Sequence, residues 1–285
     1  MTIAAAKIDE KTFYDIYDLL EQYQWLKNFL SPLIELWNLC DEKEQQDLLK
    51  RLISRFTFID GFQLDQIAKD IYGKTQEWAL NSTNTYISAI ADSNEVDGSI
   101  AGLQFIKNKF PSTKGWKERN FYSSITEAAT KINTNDNIIL FDDFIGTGKT
   151  MINKINYVVD KYKERSVKPN SIKIVSYAAM EFGVRNVHEK YDYEIYTPLP
   201  LKRGLTDFET QESLEKKKVL MISLESKLGK KFRRLKLTDH SLGYRGSETL
   251  FQICGYNCPN NLFPVFWWPT LEDGTERNTI FQRIR

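Results

Sequence analysis

The sequence contains few of the residues that build disulfide frameworks or metal clusters. Its 285 residues include three cysteines and two histidines. Three cysteines cannot form a disulfide framework, and Cys254 and Cys258 have no nearby histidine pair that would complete a zinc site. The first residues lack the apolar core of a signal peptide. No apolar run approaches the ~18 residues of a membrane-spanning helix. These absences predict a cytoplasmic protein with no membrane partner.

The sequence also lacks a large excess of charge of either sign, because its formal net charge is +1. The charge is unevenly distributed: residues 1–80 contain 9 basic and 14 acidic residues, so the rest of the chain is net basic. Six basic residues lie within Lys227–Lys236. Such a run is typical of a solvated surface, and alternatively of a surface that binds phosphates, nucleic acid or a ribonucleoprotein.

The first eighty residues show the apolar spacing of helices. Ile16, Leu19 and Tyr23 recur at helical intervals, and Ser31-Pro32 suits the start of a further helix. No chemical motif stands out in this region. We therefore predict that residues 1–80 form an all-helical accessory domain, which could bind a protein or ribonucleoprotein partner.

Short apolar runs alternate with helical stretches in the remaining residues, 81–285. Strands are predicted at 86–91, 138–141, 172–177, 193–196 and 219–224, and helices near 98–109, 121–132, 150–163 and 179–190. This alternation predicts an α/β fold with a mainly parallel sheet flanked by helices. In such a sheet ligands bind at the carboxyl ends of the strands.

One segment, 137–151, combines a buried strand with a polar turn and a helix start. The strand leads into two adjacent carboxylates, and glycine, threonine and lysine residues follow them: Asp142, Asp143, Gly146, Thr147, Gly148, Lys149 and Thr150. Backbone amides of the turn and the helix dipole would bind a phosphate group. The carboxylates would repel that phosphate, so they suit sugar hydroxyls, a cation or a developing positive charge beside it.

A P-loop and a merely structural tight turn are two other interpretations of this segment. Gly148-Lys149-Thr150 matches the end of a P-loop, but Asp143 stands where that motif requires its first glycine. A merely structural tight turn would not need two acids and several hydroxyl-bearing residues in order. Both interpretations are therefore disfavoured.

The same segment resembles the signature with which type I phosphoribosyltransferases bind phosphoribosyl pyrophosphate (PRPP). The resemblance implies that Asp142 and Asp143 contact the ribose hydroxyls and that Gly146–Thr150 bind the 5′-phosphate. It also implies Mg²⁺ as a cofactor, chelated by diphosphate and ribose oxygens, so that Asp142 and Asp143 would contact the metal indirectly. About residues 84–270, including Leu242–Glu248 and Tyr256–Trp268, resemble the PRTase-CE type of effectors in bacterial conflict and antiphage systems.

This resemblance implies a glycosyltransferase that transfers a ribosyl-phosphate group, or another nucleotide-acting effector in antiviral defence. Enzymes that act on 6-oxopurines place an aspartate where this chain has Gly146, and glycine cannot act as a general acid or base. A non-catalytic PRPP or nucleotide sensor, or an assembly subunit, is therefore the alternative.

Further candidates lie outside the loop. Ser93, Gly98 and Ser99 correspond to the loop that binds the diphosphate of PRPP, although a simple helix cap would use the same residues. Tyr244 and Arg245 are candidates for contacting a phosphate. The C-terminal aromatic residues would form a hood over an acceptor base, or alternatively pack onto the core.

Overall fold

The computed structural model describes residues 10–92 and 97–284. The α-helices in these ranges are α1 Glu10–Gln22, α2 Leu30–Trp37, α3 Lys43–Ser54, α4 Gly61–Glu77, α5 Gly98–Lys107, α6 Ile125–Lys131, α7 Lys149–Glu164, α8 Glu181–His188 and α9 Gln211–Ser226. The strands are β1 Thr57–Ile59, β2 Thr85–Ala89, β3 Phe121–Tyr122, β4 Asn137–Ile145, β5 Ser171–Met180, β6 Glu194–Tyr196, β7 Leu199–Leu201, β8 Lys231–Phe232, β9 Leu235–Lys236 and β10 Phe251–Ile253.

The chain forms two compact units, and each is built from separated segments. The first unit contains the described residues up to Phe58, then Gly204–Gln252, and the described residues from Asn257 onward. The second unit contains Ile59–Arg203 and Ile253–Tyr256. The predicted division at residue 80 does not coincide with the limits of these units, because α4 belongs to the second unit and the C-terminal residues belong to the first.

The second unit is built on a parallel sheet. Its strands lie in the order β3-β2-β4-β5-β6. The short strand β7 also pairs with β5, further toward the carboxyl end of β5 than β6 does. The predicted α/β fold with a mainly parallel sheet is confirmed. Alternate residues of β4 are buried on opposite faces, as expected for a central strand covered by helices on both sides. Ile138 and Leu140 pack in a cluster with Ile155 of α7, whereas the ring of Phe141 lies against Gly102 of α5.

The first unit has a helical and aromatic core. Apolar residues of α1–α3 and α9 form one buried cluster with Phe263, Phe266, Trp267 and Trp268. The rings of Trp25 and Phe281 stack with centroids 5.9 Å apart. Since these C-terminal aromatic residues are almost completely buried in this cluster, they pack the core, which was the alternative to a hood.

The predicted strand at 219–224 is wrong, because these residues belong to α9. Met221 and Leu224 are buried, whereas Val219 and Ile222 are 66% and 49% exposed. A six-residue segment with five apolar residues cannot by itself distinguish a strand from part of a helix. The exposed Val219 and Ile222 supplied the misleading apolar positions.

Among the described residues, no helix combines the length and apolarity that crossing a bilayer requires.

Candidate functional site

The two adjacent carboxylates lie near the carboxyl end of the central strand of the second unit. β4 continues to Ile145, so Asp142 and Asp143 belong to the strand, beyond its predicted end at residue 141. Asp142 pairs in register with Ser176 of β5. Asp142 is buried, with 7% of its surface exposed, and Asp143 is half-buried. The sheet therefore holds both groups where ligands of parallel α/β sheets bind.

A third carboxylate joins this pair. Carboxylate oxygens of Asp97, Asp142 and Asp143 all lie within 4.8 Å of one another. The pKa of Asp142 is raised well above its ordinary value. The largest cause is burial, and the negative charges of Asp143 and Asp97 add to it. The pKa of Asp143 is raised to about 6, mainly by burial and also by the negative charge of Asp97. Hydrogen bonds to its carboxylate partly oppose this increase. The cluster therefore concentrates negative charge that a cation or sugar hydroxyl donors could stabilise.

The polar turn leads directly into α7. Gly148 precedes the first residue of this helix and has a φ of +77°, a left-handed conformation that favours glycine. A Cβ atom on Gly148 would lie 2.5 Å from the carbonyl oxygen of Gly183. Thr147 is half-buried, and Lys149 and Thr150 are exposed. The backbone N–H of Lys149 donates to Thr147 Oγ1 at 3.5 Å. The turn is thus compact, and the backbone amides and dipole at the start of α7 can attract an anion.

Helix α8 holds this turn in place through residues that the sequence did not single out. A Cβ atom on Gly183 would overlap the carbonyl oxygen of Gly146. Asn186 Nδ2 donates to the carbonyl oxygen of Thr147 at 3.1 Å. Gly183 lies more than thirty residues after the turn, so no local motif marks it. A glycine near the start of a predicted helix, where it lowers helix stability, was the available signal.

The start of α5 lies against the carboxylate cluster. Asp97 caps this helix by accepting a hydrogen bond from the backbone N–H of Ser99 at 2.8 Å. A Cβ atom on Gly98 would overlap the carboxylate of Asp143. The structure thus brings Gly98 beside Asp143, and Ser99 is buried one residue further on. Ser93, the remaining predicted residue of this region, lies outside the described residues.

Two tyrosines of the second unit lie near the cluster. The hydroxyl of Tyr177 donates to the carbonyl oxygen of Gly102 at 2.8 Å, and the side chains of Tyr177 and Tyr256 are hydrogen bonded. Burial, followed by the negative charge of Asp143, raises the pKa of Tyr256 to about 12. The sequence placed Tyr256 among the aromatic residues of the C-terminal segment, but it did not predict its proximity to Asp143.

Tyr244 and Arg245 belong to the first unit, unlike the polar turn. Arg245 is exposed and has a φ of +59°. Its guanidinium carbon lies 5.4 Å from the centroid of the Tyr244 ring. The surrounding loop is anchored by the buried Glu225, which accepts hydrogen bonds from Ser241 Oγ at 2.6 Å and the N–H of Leu242 at 3.0 Å.

The fold and this site define a class of protein: a parallel α/β domain with a carboxylate cluster near a compact turn that leads into a helix. The chain matches the PRTase-CE family over residues 23–283 and belongs to that family.

Individual relatives cover smaller parts of the chain. A uracil phosphoribosyltransferase of Sulfurisphaera tokodaii is 38% identical over 78 residues, which are 27% of this chain and 32% of the relative. The chain thus spans about a third of that protein's length. A hypoxanthine-guanine-xanthine phosphoribosyltransferase structure is 15% identical, with a TM-score of 0.35, and covers 49% of this chain and 74% of its own. The structure of a purine phosphoribosyltransferase from Pyrococcus horikoshii is 13% identical, with a TM-score of 0.31. The match covers 51% of this chain and 90% of that structure's chain.

Proposed function

We propose that the second unit binds PRPP or a related ribose phosphate. The observation that carries this proposal is the position of Asp142 and Asp143, which directly precede a compact turn at the start of α7. The turn amides would bind the 5′-phosphate, and the carboxylates would accept hydrogen bonds from the ribose hydroxyls. Gly183 and Asn186 would hold the turn in its binding conformation.

Mg²⁺ fits the same proposal. Three clustered carboxylates supply the oxygen ligands that Mg²⁺ prefers, and a cation would offset the mutual repulsion that raises the pKa values of Asp142 and Asp143. Asp97, Asp142 and Asp143 would hold the ion directly or through the ligand's oxygens. Bound there, Mg²⁺ would neutralise charge on the diphosphate.

We further propose that the reaction is ribosyl-phosphate transfer, or another cleavage at the ribose C1 atom. Such a transition state carries positive charge on the ribose. A positive charge beside Asp142 and Asp143 favours their ionised forms, which would stabilise that charge at short range. Catalysis would rest on positioning and electrostatics. A role as a nucleotide-acting effector in prokaryotic antiphage defence is supported by the resemblance to conflict-system effectors alone.

Calorimetric titration with PRPP and MgCl₂ tests the ligand. We expect the double variant Asp142→Asn/Asp143→Asn to lose binding, because neither amide keeps the negative charge. Asp160→Asn, which removes an exposed carboxylate of α7, is the matched control and should bind as the wild type does. Undiminished binding by the double variant would refute the proposal.

A non-catalytic sensor or assembly subunit is the second candidate. Gly146 favours it, because a residue without a side chain supplies no proton at the position where related enzymes have an acid. Diphosphate release, measured with PRPP and a panel of bases, nucleosides, nucleic acids and proteins, separates the candidates. Release with any acceptor excludes the non-catalytic role.

A further inference from the structure

The first unit contains a pocket of about 430 Å³ that the proposed ribose-phosphate site does not use. Its wall includes Ser31 and Pro32 at the start of α2, Phe232 of β8, and Trp267, Arg277 and Arg283 from the C-terminal segment. Within the described ranges, no acidic residue contributes to this wall. The volume is in the range of small-molecule sites.

Arg277 is a buried cation of this wall. It is 9% exposed, and Nη2 donates to the carbonyl oxygen of Val265 at 2.9 Å. Its Nε and Nη1 atoms have no hydrogen-bond partner among the described residues. These two atoms carry three of the five N–H groups of a guanidinium. Burial lowers the pKa of Arg277 to about 10, so the side chain still carries its charge at neutral pH.

The nearby carboxylate does not pair with this arginine. Glu35 stabilises the charge of Arg277 at a distance. The two carboxylate oxygens of Glu35 accept hydrogen bonds from Asn278 instead: the backbone N–H donates to Oε2 at 2.7 Å, and Nδ2 donates to Oε1 at 2.5 Å. Among the described residues, no carboxylate forms an ion pair with Arg277. Glu35 therefore offsets the buried charge of Arg277 only at a distance, and a buried cation without a direct ion pair favours an anion nearby.

Other side chains make the surroundings basic and partly aromatic. Arg283 is half-buried, donates to the carbonyl oxygen of Cys258, and lies with its guanidinium carbon 5.8 Å from the Trp267 ring centroid. Arginine side chains oriented by aromatic rings suit phosphate recognition.

We propose that this pocket binds a phosphate monoester. Arg283 and the hydroxyl of Ser31 would contact the phosphate, and Phe232 would contact the organic part of the ligand. The buried Nε and Nη1 atoms lie beneath the surface, so Arg277 attracts the phosphate through its charge, which the protein interior screens only weakly.

Equilibrium binding of ribose 5-phosphate to the full chain tests this site. The wild type should bind at two sites, the pocket and the turn before α7. Ser31→Asp adds a negative charge at the exposed rim of the pocket, and an acid is well tolerated at a helix start. We expect it to weaken one site about tenfold or more. Ser31→Asn, the neutral control, should keep both sites.

The outcomes separate the two proposals. If no binding of ribose 5-phosphate or of a 5′-phosphorylated oligonucleotide is sensitive to Ser31→Asp, the pocket is overturned. If ribose 5-phosphate binds at one site and that site is sensitive to Ser31→Asp, the result supports the pocket and contradicts binding at the turn. Equal affinities in Ser31→Asp and Ser31→Asn also overturn the pocket.

A second pair of variants tests the buried cation. Arg277→Met should weaken the Ser31-sensitive site about tenfold or more, and Arg51→Met, which removes an exposed arginine of the same unit, should not. If Arg277→Met does not fold, as judged by circular dichroism, the comparison of Ser31→Asp with Ser31→Asn still tests the pocket. A 5′-phosphorylated oligonucleotide distinguishes the two sources of such a phosphate. If the oligonucleotide binds at this site and ribose 5-phosphate does not, the ligand is the end of a nucleic acid. If ribose 5-phosphate binds there, the ligand is a free metabolite.

Discussion

At the scale of single residues, Asp143 should make the stability of the protein depend on pH. Its pKa is about 6 in the folded chain, against an ordinary 3.8. Between these values the folded chain binds more protons than the unfolded chain, so the free energy of unfolding falls as the pH rises from about 4 to about 6. We predict that Asp143→Asn is more stable than the wild type by roughly 1–3 kcal/mol at pH 7.5, and that the difference disappears below pH ~4.

Urea unfolding across this pH range measures the effect. Asp160→Asn is the control, because its exposed carboxylate has no comparable surroundings. Saturating MgCl₂ should narrow the difference at pH 7.5 if the cluster binds the ion. A wild type whose stability relative to Asp143→Asn stays constant from pH 4 to 7.5 would contradict the raised pKa.

Gly183 should be essential to the shape of the turn. We predict that Gly183→Ala lowers PRPP affinity about tenfold or more and the free energy of unfolding by about 1–3 kcal/mol, since its Cβ would displace Gly146. Gly73→Ala is the matched control, because no atom lies within 4 Å of its added Cβ in α4. It should stabilise the chain by about 0.5–1 kcal/mol. Calorimetry and urea unfolding measure both effects, and normal binding by Gly183→Ala would contradict this role.

At the scale of elements, the basic run divides into structural and exposed residues. Lys227 forms an ion pair with Asp41 at 2.6 Å and donates to the carbonyl oxygen of Leu39, whereas Lys231 and Arg234 are exposed on the β8–β9 hairpin. We predict that Lys227→Met lowers the free energy of unfolding by about 1–2 kcal/mol, and that Lys231→Met changes it by less than about 0.5 kcal/mol. Thermal and urea unfolding test this, and equal effects would contradict the division.

The exposed part of the hairpin also tests the nucleic-acid alternative. If phosphates bind there, the affinity for an oligonucleotide should fall steeply with salt. Lys231→Met/Arg234→Met should then weaken binding and reduce the salt dependence. Unchanged binding by this double variant would exclude the hairpin as the contact surface.

The elements also show how far the sequence predicts the structure. Four of the five predicted strands form, because buried parallel strands such as β4 are distinct apolar runs between turn residues. The turn of Gly146–Thr150 was predictable, because its residues are consecutive. Gly183, Asn186 and Tyr256 were not, because they meet the turn or Asp143 only through tertiary packing. Val219–Leu224 was misassigned because two of its apolar residues are exposed on α9.

At the scale of the whole molecule, the first unit depends on residues from both ends of the described chain. We predict that a chain beginning at Ile59 exposes Trp267 and Trp268, which now lie in one cluster with residues of α1–α3. Such a fragment should aggregate or show red-shifted tryptophan fluorescence and weakened near-ultraviolet circular dichroism. A monomeric fragment with unchanged aromatic signals would contradict this prediction and would favour the predicted helical accessory domain of residues 1–80.

The stacking of Trp25 and Phe56 on Phe281 has a consequence for synthesis on the ribosome. Residues that follow Phe58 are made for roughly 10–45 s before Phe281 is added, at the usual 5–20 residues per second. Residues 59–203 of the second unit are complete well within that time. Helices α1–α3 are therefore translated well before the C-terminal residues that complete their apolar cluster, and during translation their exposed apolar surface makes them natural substrates for chaperones.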